Sequence, residues 1–587
     1  MKEMIQDLLS KIQLCQQPDT IESLQILTTL IQSSSSSTET FLSQNGIEIV
    51  LTLLKDASNQ ELQYHLLHLL EELSYQSDAS TPTLVNTELF GLFTHFLDSD
   101  NDDLATFSIS ILHNVCYDVP DVIPLLWQSG VITTLFQNLD KRLQSLPITE
   151  TRTGKVVIRP DSSSSILKSI LDLITTIQSG TQMLNTQDFF LPTLLPFFLM
   201  DRQDILQRVL KIVYLACKDN NPFCCTLLQV SIPIQQTSTR QSSSVLFYSH
   251  LLSILSESHQ QYMQTLSDFR TFWWGVDFRR KGYGYHCELH ITETESEIQT
   301  RTKFMKKLEA SQYIMVSILQ IFGNLAYLED EESIQLNLGI SQALGDIIAT
   351  YNAIVTLNGF QMAQTDSPDY DLSFHTFPSN INTDGDIKKL TTSTVMVMHQ
   401  ALFILSNLCG GTDEHAIFTL THLLPNEHDA LTAAIKLIHN LTTFPSILVV
   451  SDVAGIVQNL SIVHALIPTL IDADFLTPLY VYARGLQKSN PDEFLNLLNI
   501  TRQLTDSRIV PHALLVKAAK QLKDIDALSF IRRCELSSDR QVKQTAKKLV
   551  LTMEDLELTE GCDFGLRDEA MQPGMFDGCF AEPSVKL

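Results

Sequence analysis

The chain has 587 residues, of which 44% are hydrophobic and 18% are charged, so it can bury extensive apolar surface and is not disordered as a whole. The 67 acidic and 40 basic residues give a formal net charge of −27, which disfavours binding to nucleic acid or anionic lipid and favours basic protein partners. This length fits either about four globular domains or one long array.

The N-terminal residues Met1–Ser10 already form an amphipathic pattern that includes charged side chains, which is unlike a signal peptide. The most apolar run, Phe189–Met200, contains two prolines and is too short to span a bilayer. The 10 cysteines are scattered without a disulfide framework, which is typical of a reducing compartment. We therefore expect a cytoplasmic protein without membrane insertion, with the nucleus as the alternative location.

Pairs of apolar helical segments recur from the start of the chain. Asn45-Gly46 precedes IEIVLTLLKDAS and then NQELQYHLLHLLEELS, and both segments carry apolar residues at helical spacing. Similar pairs begin near Glu88, Gly130 and Asp188. Repetition of paired helices at a regular spacing is the sequence signature of a helical solenoid, and solenoids commonly hold partners.

A second recurring feature is an asparagine column, in which an Asn near the end of a helical segment precedes an aliphatic and then a small residue. Glu72 and Tyr214 stand in the same column. The spacing shortens towards the C-terminal half, which indicates a truncated repeat or an asparagine out of step with the others. The asparagines of the column are Asn114, Asn324, Asn407, Asn440, Asn459 and Asn499.

Four segments interrupt the repeats. Residues 144–165, 231–244 and 357–389 are polar and rich in Ser, Gln, Pro or Asn, so we expect loops there. Residues 256–307 differ from these three because they contain a strand-like pattern.

Within residues 256–307, apolar and polar residues alternate from Phe272 to Phe278 and again from Tyr285 to Ile291, which predicts a β-hairpin over residues 271–292. Two strands alone are marginally stable, so this hairpin should pack on the solenoid or on a partner. Interleaved aromatics and cations are typical of interface hot spots, whereas a structural insert packed on neighbouring helices is the alternative. The candidate interaction residues are Trp273, Trp274, Arg279, Arg280, Tyr283 and Tyr285.

The C-terminal part of the chain has two regions of different charge. A helical pattern continues to about residue 552, and residues 553–587 contain nine acidic residues, four glycines and two prolines, which predicts a disordered acidic tail. The opposite charges leave open that this tail folds back on a cationic cluster in the preceding helical region. That cluster consists of Arg532, Arg533, Arg540, Lys543, Lys547 and Lys548.

The recurring segments resemble the armadillo repeat. In that family a short first helix ends near a glycine, a second helix has the pattern IPxLVxLL, and a third ends in ALxNLS. Gly46 and Gly130 match the glycine, with Gly339 as a further candidate. The resemblance covers about residues 1–550 and implies an all-α, right-handed solenoid, with N-terminal repeats over 1–255, an insertion over 256–307 and C-terminal repeats over 308–552.

In the armadillo family the column asparagine lies on the third helix and lines a concave groove, where its amide bonds the backbone of an extended peptide. The resemblance implies this role for Asn114, Asn324 and Asn407 above all. The alternative is that these asparagines satisfy helix ends. Nuclear-import adaptors of the family carry Trp four residues before the Asn, and this chain does not, so we do not expect an adaptor of that class. The residues at those positions are Ser110, Gln320, Phe403, Lys436, Gly455 and Leu495.

Catalytic signatures such as GxSxG, GxxxxGK[ST] and HExxH are missing from the sequence. On a strand, His286 and His290 would share one face and Cys287 the other, so we expect no metal site and no cofactor. The sequence therefore predicts a non-enzymatic scaffold that holds a protein partner, including basic or extended peptide segments. A regulator of an enzyme or chaperone and a cytoskeletal or ciliary component remain alternatives.

Overall fold

The computed structural model describes the chain except for residues 1, 15–18, 77–80, 100, 147, 151–155, 159–163, 182, 201, 236–241, 282–293, 327–331, 358–383, 445, 487–490 and 561–587. The chain divides into two compact units, Met1–Ile456 and Val457–Leu587.

The first unit begins with two helices and continues as groups of three, in which the third helix is the longest. The opening helices are α1 (Lys2–Gln13) and α2 (Asp19–Ser33). The first three groups are α3 (Ser35–Ser43), α4 (Gly46–Asp56) and α5 (Gln60–Gln76); α6 (Thr81–Leu84), α7 (Thr87–Leu97) and α8 (Asp102–Asp118); and α9 (Ile123–Gln128), α10 (Val131–Gln144) and α11 (Ser164–Gly180). This arrangement is armadillo-like and confirms the predicted all-α solenoid.

The middle of the first unit contains its longest helices. After α12 (Phe190–Leu194), α13 (Gln203–Cys217) and α14 (Asn221–Gln229), the chain forms α15 (Phe247–Lys281), α16 (Glu295–Leu325), α17 (Glu332–Leu357) and α18 (Asp384–Cys409). It continues with α19 (Asp413–Leu423), α20 (Ala430–Asn440) and α21 (Ile447–Ile462), and the boundary between the two units falls inside α21.

The second unit is also helical. Beyond α21 it contains α22 (Ile467–Asp472), α23 (Leu476–Gly485), α24 (Pro491–Leu504), α25 (His512–Asp524), α26 (Ala527–Cys534) and α27 (Arg540–Glu560). Five short 3-10 helices also occur in the described chain: Pro120–Val122, Met183–Thr186, Leu195–Leu199, Leu441–Thr443 and His464–Leu466. Helix α27 contacts α24, α25 and α26.

The long helices of the first unit lie side by side in the order α2, α5, α8, α11, α13, α16 and α18, and each contacts the next. We call this row the third-helix ladder. Its helices bury one apolar stripe each, as in α8, where Leu104, Ile111 and Val115 are fully or almost fully buried. Helix α21 meets the last helix of this row through Asp452, whose carboxylate lies 2.7 Å from the His399 ring on α18.

Two of the predicted glycines lie at helix junctions for different physical reasons. Gly46 begins α4, where an added Cβ would overlap the ring of Phe41. Gly130 precedes α10 with φ of +80°, a conformation that favours glycine. Gly339 instead lies within α17, where an added Cβ would meet the side chain of Leu252, so its proposed place at a repeat junction is wrong.

The described chain contains two antiparallel β-hairpins, and both lie in segments that we predicted to be loops. Strands β1 (Ile148–Glu150) and β2 (Val156–Ile158) pair within residues 144–165. Strands β3 (Ser231–Gln235) and β4 (Ser242–Leu246) pair within residues 231–246.

The predicted hairpin over residues 271–292 is wrong in its first half, because α15 continues as helix to Lys281. The second half lies outside the described residues. Phe269 and Phe272 are three residues apart on α15, and both rings lie 5.8 Å from the ring of Phe304 on α16. Helical spacing places both rings towards α16, whereas a strand would point them to opposite sides.

The predicted domain limits at residues 255 and 307 fall inside α15 and α16, which pack against each other. The predicted loop over 357–389 begins where α17 ends, and its last residues belong to α18, while 358–383 lie outside the described residues. The predicted start of the tail at residue 553 is wrong, because α27 continues to Glu560. Residues 561–587 lie outside the described part.

Candidate partner-binding surface

The third-helix ladder leaves one side of each helix uncovered. On α8 the residues that are not buried recur every three or four positions, at Phe107, Ser110, Asn114 and Tyr117. The neighbouring helix α5 shows the same pattern at Tyr64, His68, Glu72 and Tyr75. Because α5 and α8 lie side by side, these two rows form one continuous surface, which we call the α5–α8 face.

Aromatic rings meet across the α5–α8 face. The Tyr64 and Phe107 rings contact edge to face, with centroids 5.1 Å apart. The imidazole of His68 stacks on the same Phe107 ring with centroids 5.4 Å apart. Such ring pairs hold each other in fixed orientations, so this part of the face is pre-ordered.

Two tyrosines on the same face are exposed to solvent. Tyr75 is 62% exposed and Tyr117 is 74% exposed. Tyr75 is anchored at its far end, because its hydroxyl lies 2.8 Å from the Ser110 hydroxyl on α8. Exposed aromatic rings that are held in place are typical of protein-binding surfaces, since burying them removes a large apolar area at little entropic cost.

Carboxylates lie beside these rings. The side-chain amide of Gln32 on α2 donates a hydrogen bond of 2.7 Å to the carboxylate of Glu72. Burial raises the pKa of the neighbouring Glu71, and a hydrogen bond with Ser110 opposes that rise. Burial also lowers the pKa of His65, which favours its neutral form. The α5–α8 face therefore combines aromatic rings with the carboxyl groups of Glu71 and Glu72.

The central part of the ladder is charge-balanced instead. Asp204 on α13 accepts from Arg202 at 2.8 Å and lies 2.5 Å from the amine of Lys168 on α11. Hydrogen bonding from Arg202 is the largest cause that holds the pKa of Asp204 well below its usual range. Arg208 on α13 also pairs with Asp172 on α11 at 2.8 Å. The pairs of Lys168 with Asp204 and of Arg208 with Asp172 join α11 to α13, and all three pairs are partly exposed, so each contributes little to stability.

Three of the six column asparagines lie on ladder helices. Asn114, Asn324 and Asn407 are half-buried on α8, α16 and α18. Asn440 is exposed on α20, a short helix that contacts α17 and α19, and it is the asparagine out of step. Asn459 on α21 and Asn499 on α24 belong to the second unit.

The hydrogen bonds of the ladder asparagines run within the chain. Asn114 Nδ2 donates to the Ser74 hydroxyl on α5 at 2.8 Å. Asn324 Nδ2 donates to the backbone carbonyl of Gln320, one turn earlier in the same helix, at 2.9 Å. One N–H of the Asn114 amide and one of the Asn324 amide therefore have a partner within the chain, while the binding role of the column stays a prediction.

The candidate residues of the predicted insert are distributed differently from the prediction. Trp273, Trp274, Arg279 and Arg280 lie on the helical backbone of α15, and the contacts of their side chains lie outside the described part. Tyr283 and Tyr285 lie outside the described residues altogether. The interaction role of this segment stays a prediction, but residues 271–281 are helical and do not form the strand that we expected.

Sequence reasoning missed the aromatic residues of the α5–α8 face, although the sequence contains a signal for two of them. Tyr75 and Tyr117 each stand three residues after a column position, Glu72 and Asn114 respectively. The contact of Tyr64 with Phe107 carries no such signal, because it joins helices from different repeats.

In the described part of the chain, three or more His, Cys, Asp or Glu side chains nowhere cluster in a way that could hold a metal ion. In the same residues, no single helix is both long and apolar enough to cross a membrane. Helix α21 and the following helical segment His464–Asp472 reach that length and apolar content only when they are taken together, and they are sharply bent relative to each other.

No protein-family model matches the chain, and no curated protein matches it. Among solved structures, an engineered protein from a structural genomics consortium is 12% identical, with 94% of this chain and 99% of that chain covered and a TM-score of 0.55. A computationally designed armadillo repeat protein for modular peptide recognition is 14% identical over 38% of this chain and 85% of its own, with a TM-score of 0.32. A designed armadillo repeat protein in complex with the peptide (KR)4 is 11% identical over 52% of this chain and 98% of its own, with a TM-score of 0.31. At 12% identity, the similarity to the engineered protein indicates a shared fold and gives no information about function.

Proposed function

We propose that this chain is a non-enzymatic protein-binding scaffold, and that it holds an extended segment of a partner protein against the third-helix ladder. The observation that carries this proposal is the pair of exposed tyrosines on adjacent ladder helices. Tyr75 and Tyr117 stand at equivalent positions of two repeats, and Glu72 lies one helical turn before Tyr75 on α5.

The spacing of the ladder suits an extended chain. Packed helices lie about 8–10 Å apart, and an extended peptide in the polyproline II conformation rises about 9 Å over three residues, after which its side chains face the same side again. A peptide that crosses the ladder can therefore place one side chain at each helix. Equivalent positions on successive helices would then meet equivalent side chains of the partner.

The chemistry of the α5–α8 face favours an apolar or aromatic side chain next to a basic one. The rings of Tyr75 and Tyr117 offer apolar area and a π face to a guanidinium or ammonium group. Glu72 lies in the same row and supplies a carboxylate for that cation. The overall charge of −27 would also speed the approach of a basic segment.

The test begins with peptides selected from an unbiased random 12-residue display library against the full chain. The dissociation constant of the selected peptides is then measured for Tyr75→Ala/Tyr117→Ala. Because hot-spot aromatics contribute about 2 kcal/mol or more on truncation, we expect affinity to fall about thirtyfold or more. Circular dichroism checks that helical content is retained.

Val481→Ala is the control, because it truncates another exposed apolar side chain far from the α5–α8 face in sequence. Val481 is 61% exposed and lies on α23 in the second unit. It should leave the dissociation constant unchanged. If the selected peptides bind the tyrosine variant as tightly as the unchanged chain, the α5–α8 face is not the binding surface. Asn324→Ala/Asn407→Ala then asks separately whether the asparagine column contributes.

A further inference from the structure

The exposed side of α27 is a cationic face. Arg540, Lys543, Lys547 and Lys548 are all exposed, and their spacing places them on one side of the helix. The sequence from residue 540 to residue 551 contains no acidic side chain. Within a chain of net charge −27, this is a strong local reversal of sign.

The same side of α27 also carries apolar surface. Leu551 is 64% exposed and shares the helical face of Arg540 and Lys547, which lie eleven and four residues earlier. Helix α27 packs its opposite side, including the buried Val542, Ala546 and Leu549, against α24, α25 and α26. An exposed face that combines cations with leucine fits a segment that combines carboxylates with apolar side chains.

The sequence that follows α27 has this composition. Residues 561–587 contain five acidic residues against Arg567 and Lys586, and they include Phe564, Phe576 and Phe580. We propose that residues 561–587 dock in cis on the cationic face of α27, with carboxylates at the amines and aromatic side chains at Leu551.

The length of the segment permits this return. From Glu560 to Lys543 the helix rises about 26 Å, whereas an extended chain of this length reaches up to about 90 Å. A short tether also keeps the segment at an effective concentration in the millimolar range. Individually weak ion pairs are then sufficient, because the segment has little translational freedom to lose.

The test is zero-length carbodiimide cross-linking of the full chain, followed by peptide mass spectrometry. We expect amide links from Asp563, Asp568 or Glu569 to the amines of Lys543, Lys547 and Lys548. These links should weaken in about 0.5 M salt, because exposed charges are screened at that ionic strength. A 1:1 mixture of 15N-labelled and unlabelled chains should give only links within one isotope.

Lys543→Glu/Lys547→Glu should reduce the links to Lys548 roughly fivefold, since two attractive contacts become repulsive. The matched control is Lys303→Glu/Lys306→Glu, which makes the same charge change at exposed positions of α16 and should leave those links unchanged. The proposal is overturned if the carboxylates link only to lysines elsewhere, if the α27 variant keeps the wild-type yield, or if mixed-isotope links show that a second copy is the occupant.

Discussion

Asn114 on α8 donates a hydrogen bond of 2.8 Å from its amide to the hydroxyl oxygen of Ser74 on α5. Ser74 is buried and itself donates to the backbone oxygen of Glu71 at 2.6 Å. The asparagine of one repeat is thus joined to the small residue at the end of the preceding repeat. This hydrogen bond joins two successive repeats, whatever the ladder binds.

Asn114→Ala should therefore lower the free energy of unfolding by about 1 kcal/mol, the usual contribution of such a hydrogen bond. Asn440→Ala serves as the control, because Asn440 is exposed on α20 and should change the urea midpoint very little. A double-mutant cycle with Ser74→Ala measures the coupling directly. Additive effects of the two substitutions would show that this bond contributes nothing to stability.

Gly345 lies where α17 meets α19, and an added Cβ would overlap the backbone carbonyl oxygen of Leu423. Since a backbone atom cannot move aside cheaply, Gly345→Ala should destabilise the first unit by about 3 kcal/mol. Gly91→Ala is the opposite case, because the space around Gly91 in α7 is open. That change should stabilise by about 0.5–1 kcal/mol through helix propensity. Thermal unfolding of both variants checks the contrast, and equal shifts would contradict the packing of α17 on α19.

The pair of His399 and Asp452 predicts a pH dependence. Burial raises the pKa of Asp452, and His399, 2.7 Å away, opposes the rise. The folded chain then binds this proton more tightly than the unfolded chain. The corresponding stability is present at low pH and is lost as the pH rises through the folded pKa.

Asp452→Asn keeps an oxygen acceptor for His399 but cannot ionise. Relative to the unchanged chain, its stability should increase as the pH rises above about 4, where the aspartate of the unfolded chain ionises. Urea unfolding at several pH values measures this difference, with Glu309→Gln as the exposed carboxyl for comparison. If the stability difference between Asp452→Asn and the unchanged chain shrinks as the pH rises, the attraction between Asp452 and His399 has a larger effect on the pKa of Asp452 than burial has.

Two buried thiols should be unreactive in the folded chain. Burial raises the pKa of Cys116 and of Cys409 to about 12. At pH 8 their thiolate fraction is then on the order of 10⁻⁴, and both lie at positions closed to solvent. Iodoacetamide should label the half-buried Cys225 before Cys116 and Cys409, which it should reach only after urea is added. Equal labelling of all three in the native state would contradict the described packing.

The repeat architecture was predictable from the sequence because its signals are local. Apolar residues at helical spacing identify α4, α5, α7 and α8 one by one, and the column from Glu72 to Asn114 gives the length of the repeat. Periodicity within one helix depends only on which of its faces is buried. The same spacing indicated either a truncated repeat or an asparagine out of step between Asn407 and Asn459.

The error at residues 271–281 arose where local pattern and tertiary packing disagree. Alternation from Phe272 to Phe278 spans only a few residues and predicts a strand, whereas the packing of Phe269 and Phe272 on Phe304 requires helical spacing. The two observed hairpins lie in polar segments, and each strand is only three to five residues long. Such short strands have too little periodicity to be recognised.

The sequence alone therefore determined that this chain is an all-α array of armadillo-like repeats, because each helix records its own buried face. Only the tertiary structure decided which residues meet: Tyr64 with Phe107, Asn114 with Ser74, and His399 with Asp452. These pairs join different helices across about 40 to 53 residues of chain. Their geometry depends on how the helices stack, and stacking is a non-local property that no single segment encodes.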